Sequence, residues 1–170
     1  MKRIAATALA VQLMVVAAWV GGHAALGAFA ARILFRDLPR SVAASTMTTV
    51  FREFDGLVAV AITLLLLAML LRLLLRRTIA WRGSDWIATA AATALSLVGI
   101  IELTLVHPAI EQAFRAGDTL SPHFIALHRA SERLGHIELL LMLLLFTSVA
   151  VRQSKDVQVG PPGHDRPLGV

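Results

Sequence analysis

Three ionisable residues near the C-terminal third share one spacing. His128, Glu132 and His136 stand at i, i+4 and i+8 in "LHRASERLGHIELLL", so on a helix they form a single stripe. Imidazole plus carboxylate is a donor set for iron, zinc or copper, and His23 or Glu102 would complete it from another helix. A haem b held axially by two histidines, drawn from His23, His128 and His136, is a related use of the same side chains. The plainest alternative is a hydrogen-bonded network between helices that fixes their packing. A third is a relay for protons or a small solute. No H-E-x-x-H and no Glu-x-x-His pair is present, so no catalytic residue is assigned and an enzyme is not the favoured reading.

The elements that must position these residues are membrane-type helices. The chain has 170 residues, 57% of them hydrophobic, with a mean hydropathy of +0.73. Soluble domains are ~45–50% apolar, and the long charge-free stretches here predict an integral membrane protein whose first partner is the lipid bilayer. The length suits one domain. The chain has no cysteine, which excludes disulfides, zinc–thiolate sites and iron–sulfur clusters. Its net charge of +5 sits on arginines that flank apolar runs, as at cytoplasmic membrane boundaries. A basic, aromatic-interleaved patch is missing, which argues against nucleic acid. A homo-oligomer or another membrane partner stays open.

Crossing a bilayer takes about 20 helical residues, and four segments qualify. The predicted fold is an all-α, four-helix antiparallel transmembrane bundle over residues 1–152, followed by a disordered tail over 153–170. The first helix spans about 4–35 and reads as a retained helix rather than a cleaved signal, because its apolar run exceeds a signal core of ~7–15 residues. "RDLP" breaks it at Pro39. The second runs from about 41 to 76. The third is capped by Ser84 or Asp85 and is predicted to end near Pro108. The fourth runs from Ser121-Pro122 to about Arg152. The helices near 4–35 and 41–76 exceed a bilayer's need and are expected to project partly beyond it. Arginines hard against the membrane ends put both termini in the cytoplasm of a bacterial inner-membrane protein.

Counting about 20 residues inward from each cytoplasmic end gives an alignment. The four helices reach His23, the Asp55 region, the Glu102–His107 region and the 128–138 stretch. The sequence therefore predicts a polar layer on the periplasmic side, made of Arg52, Asp55, Glu102, His107, Arg129, Ser131 and Glu138. Charges there cost up to ~2.5–3.5 kcal/mol each at mid-membrane, so they should face the bundle. Arg52, Arg129 and Arg133 are the predicted cationic partners of the acids. Gln12, alone in the first helix, is expected to bond a neighbouring helix, and Arg72 to snorkel to the interface. Trp19, Trp81 and Trp86 read as interface anchors. Ala17, Gly21 and Ala25 form a small-residue ridge suited to close helix approach.

Short motifs carry a resemblance over about residues 5–150. "WVGGHAALGAFAARILFRDLP", "FREFDG", "HPAI" and "LHRASERLGHIELLLMLLL" resemble the bacterial branch of the family that includes transmembrane protein 205. That family's Trp-x-Gly-Gly is met by Trp19, Gly21 and Gly22, its Leu-Pro by Leu38 and Pro39, and its helix-three proline by Pro108. Its His-x-x-Ser-x-x-Leu-Asn is met by His128, Ser131 and Leu134, with Gly135 in place of the asparagine. The resemblance implies a four-helix integral membrane protein without an assigned reaction, in which Trp19, Gly21, Gly22, Pro39 and Pro108 serve packing. The Trp-x-Gly-Gly start is also similar to the copper-resistance protein D type and to membrane haem-type protoporphyrinogen oxidase, which implies redox or copper handling by analogy.

Overall fold

In the computed structural model, residues 2–75 and 83–158 are described. The described residues are almost wholly helical, with no strand among them. Four helices among them are long and apolar enough to cross a membrane: Ala6–Asp37, Arg40–Leu74, Gly83–Arg115 and Pro122–Val151. This is a multi-pass, all-α membrane protein. Trp81 and the last part of the tail expected over 153–170 fall outside the described residues.

The first crossing comprises α1 (Lys2–Ala25), a π turn (Leu26–Ala30) and α2 (Ala31–Asp37). It stops where predicted. Leu38 is extended (φ −119°, ψ 155°) before Pro39, as the proline ring requires of its predecessor, and Pro39 opens α3 (Arg40–Leu74). The third crossing comprises α4 (Gly83–Ile101), a second π turn (Glu102–Val106) and α5 (His107–Arg115). Here the expectation fails, because Pro108 does not end the helix. It occupies the first turn of α5, directly after the π turn. There a missing N–H costs least, and the wider turn relieves the clash that a proline makes with the preceding turn. The crossing ends instead at Gly117, whose φ of +73° lets the chain turn back over the end of α5. α6 (Pro122–Gln158) follows, with Ser121 Oγ accepting the Phe124 N–H at 3.0 Å.

α1 packs along α3, and α4 along α6 and α3. The core is an apolar column that includes Val16, Trp19, Val20, Val58, Ile62, Leu65, Ala92, Leu95 and Leu145. Leucines such as Leu66, Leu67, Leu70 and Leu140 lie outward, where lipid is as good a solvent for them as the core. Inward phase is therefore marked by size, most clearly on α4. Its buried side reads Asp85, Ala88, Ala91, Ala92, Leu95, Ser96 and Gly99, so neighbouring helices approach a surface almost without side chains.

Two close approaches depend on glycine. A Cβ at Gly99 would strike the Trp19 ring, and one at Gly22 would lie 2.6 Å from Phe54 Cε2 and Cζ. Gly21, by contrast, has nothing within 4 Å of such a Cβ, and Ala17, Gly21 and Ala25 are all exposed. The predicted ridge is thus not the packing surface of the bundle. Trp19 is also no interface anchor, being 2% exposed in the core. Trp86 remains outward.

At one end of the column sits a buried polar cluster. Arg72 Nη1 donates to Gln12 Oε1 at 2.8 Å and Nη2 to Asp85 Oδ1 at 3.0 Å, joining α1, α3 and α4. Gln12 bonds across helices as expected. Arg72 does not snorkel. Two acceptors inside the bundle hold its guanidinium, a fork suited to several fixed bonds, and Asp85 supplies the countercharge in the first turn of α4.

Candidate functional site

Asp85 and Glu102 lie on the same buried stripe of the third crossing. They are separated by about 25 Å at ~1.5 Å per residue, so Glu102 brings charge to the far end of the apolar column. It is 3% exposed and Glu138 of α6 is 1% exposed. His23, one turn after Trp19 on α1, places Nδ1 3.1 Å from Glu138 Oε2. Single ligand atoms of His23, Glu102 and Glu138 all lie within 4.8 Å of one another. The other Glu138 oxygen, Oε1, is buried without a hydrogen-bond partner.

A second pair adjoins this trio. His107 Nδ1 lies 2.8 Å from Asp55 Oδ1, and the His107 and His23 rings stand edge to face at 6.5 Å between centroids. Every crossing therefore contributes: His23 from the first, Asp55 from the second, Glu102 and His107 from the third, Glu138 from the fourth.

The arginines anticipated as partners of the buried acids are elsewhere. Arg52 is exposed and pairs with Glu111 at 3.6 Å. Arg129 and Arg133 are exposed on α6. Among the described residues no arginine or lysine pairs with Glu102 or Glu138; their basic neighbours are histidines. The reason is positional, since Arg52 begins the turn before Asp55 and its long side chain reaches outward to Glu111.

The His128 stripe forms as its spacing demands, with Nε2 3.6 Å from Glu132 Oε1. It lies on the outer side of α6. The His128 and Glu132 side chains are 63% and 59% exposed, His128 stacks on Phe124, and His136 is exposed. Ser131 is half-buried. The inward phase of α6 is instead Glu138, Leu145, Ser148 and Val149. Those positions sit seven, ten and eleven residues after the first, the recurrence of one helical face. That recurrence was the available signal for Glu138.

Residues 14–119 match the model of a family described as Domain of unknown function (DUF4149). The chain belongs to the DUF4149 family. The match contains His23, Asp55, Glu102 and His107, whereas Glu138 lies beyond it. No curated protein and no solved structure matches the chain.

Within this DUF4149 bundle Gly22 adjoins the cluster. Phe54, which fills the space beside Gly22, also lies against His23, with ring centroids 4.9 Å apart. Gly22→Ala should push this ring and cost about 1–3 kcal/mol, as overpacking does. Thermal unfolding in detergent, with Gly21→Ala as a near-neutral reference, measures it.

Proposed function

We propose that this protein binds a divalent transition-metal ion inside a bacterial inner membrane, at His23, Glu102 and Glu138. In this reading the termini are cytoplasmic and the cluster belongs to an inward-facing polar layer on the periplasmic side. Kinship with the bacterial relatives of transmembrane protein 205 is part of the same proposal, resting on Trp19, Gly22, Pro39 and Pro108.

One observation carries it. Glu138 is almost fully buried, shares one oxygen with His23, and leaves the other unpartnered, beside a second buried carboxyl at Glu102. Two carboxylates in a low-dielectric interior repel each other and lose hydration. A dication between them balances both charges, and one imidazole with two carboxylates is a nitrogen–oxygen set suited to zinc, iron(II) or manganese(II). The ion would take the place of the His23–Glu138 hydrogen bond. Without an ion, the two carboxyls would have to share a proton, Glu102 and Glu138 acting as donor and acceptor to each other, and metal content separates that arrangement from the proposed one.

The test is metal content. Full-length protein purified in detergent, stripped with chelator and dialysed against zinc, iron(II) or manganese(II) should retain one ion per chain. Glu138→Gln should retain far less while keeping the same helical circular dichroism. Folded wild-type protein that holds none of the three ions would refute the proposal.

A further inference from the structure

We infer that His107 is a fourth ligand to the same ion, with Asp55 as the residue that orients it; this rests on the metal-binding reading above.

The local backbone is the first argument. Glu102 and His107 are five residues apart, and in an α-helix such residues point about 140° away from each other. Here the π turn over Glu102–Val106 intervenes, and the His107 N–H donates to the Glu102 carbonyl. A turn closed between i and i+5 stacks the two residues, so one crossing presents a carboxylate and an imidazole to one cluster. The π turn is also where Pro108 was expected to stop the helix. The sequence thus retains an irregularity whose effect is to align these two side chains.

The hydrogen bonding is the second argument. An ionised Asp55 can only accept, so at 2.8 Å it takes the proton on His107 Nδ1. In the neutral ring that bond leaves the lone pair on Nε2, the nitrogen free to meet an ion. A carboxylate behind an imidazole is the usual orienting arrangement for metal-binding histidine, and its loss typically weakens affinity ~10–100-fold. His107 stands just outside the three residues whose ligand atoms lie within 4.8 Å of one another, so it must move in to bind. Two imidazoles on one tetrahedral ion, with bonds of ~2.0–2.1 Å, hold their rings about 5 Å apart, against 6.5 Å between His23 and His107 here. Closure by roughly an ångström or two completes a set of two imidazoles and two carboxylates. It contains no sulfur, so it favours borderline first-row dications over copper(I).

The experiment uses full-length protein in detergent with cobalt(II) and copper(II) salts as probes. Pulsed electron paramagnetic resonance of the copper(II)-loaded wild type counts coordinated imidazoles and needs no variant to fold. Two are expected. Cobalt(II) titration should show Asp55→Asn binding ~10–100-fold more weakly with an altered visible spectrum. His128→Ala, on the outer side of α6, should match wild type. If wild type binds the ion with one imidazole, and His23→Ala abolishes binding while His107→Ala does not, the fourth ligand is refuted and the metal site stands. If folded wild type takes up neither probe, the metal site itself fails.

Discussion

Arg72→Ala should cost the bundle about 3–5 kcal/mol, because it leaves Asp85 as a buried charge without its guanidinium. The Asp85 side chain is 2% exposed and that of Arg72 is 8% exposed, so water cannot take over. The loss should appear as a large fall in midpoint when helix content is followed against heat or sodium dodecyl sulfate. Asymmetry is the diagnostic. A double replacement, Arg72→Met with Asp85→Leu, should recover much of the loss, since an apolar pair of similar bulk avoids the desolvation penalty altogether. Arg72→Lys should fall between, because one ammonium nitrogen must reach both Gln12 and Asp85 where the fork uses two separate nitrogens. A single Arg72→Ala variant as stable as wild type would mean that Arg72 is not what compensates Asp85.

Gly99 gives the second large effect. A Cβ there would overlap the Trp19 ring and sit 2.9 Å from Ile62 Cδ1. Trp19 has nowhere to go, being walled in by the column that contains Val16, Leu65 and Leu95. Gly99→Ala should cost about 1–3 kcal/mol, and Gly99→Leu more, as forced expansion of a packed core does. Gly56→Ala is the comparison: nothing lies within 4 Å of its added Cβ, so its stability should stay within ~0.5 kcal/mol of wild type. Gly99 also sits three residues before Glu102, and Trp19 one turn before His23. Gly99→Leu should therefore weaken ion retention, whereas Gly56→Ala should not. Equal stability of the two variants would contradict the contact.

Much of this bundle could be read along the chain, and the division has physical causes. Apolar length alone marks the crossings, and Pro39 marks the first break, because a proline's demand on Leu38 is local. Depth was legible too. Counting residues inward picked His23, Asp55, Glu102, His107 and Glu138 as neighbours in height. Rotation about each helix axis was not. In a bilayer both faces of a helix are apolar, so polarity does not tell inside from outside, and a charged stripe such as His128–Glu132–His136 draws attention merely by being charged. Size tells more, as the alanines and Gly99 of α4 do, and so does phase with a buried residue, as Leu145 does for Glu138. Pro108 misled for another reason. Whether a proline ends a helix or follows a π turn depends on what the widened turn gains, and that gain lies in partners on other crossings. The same holds for Arg72, whose acceptors are distant in the chain.

The contact between His23 and Glu138 joins residues 115 positions apart, and Glu138 stands on the fourth crossing, after the three that supply its neighbours. Until that crossing is made, Glu102 has no second carboxyl beside it. The trio of His23, Glu102 and Glu138 is thus a property of all four crossings together and of no shorter part of them.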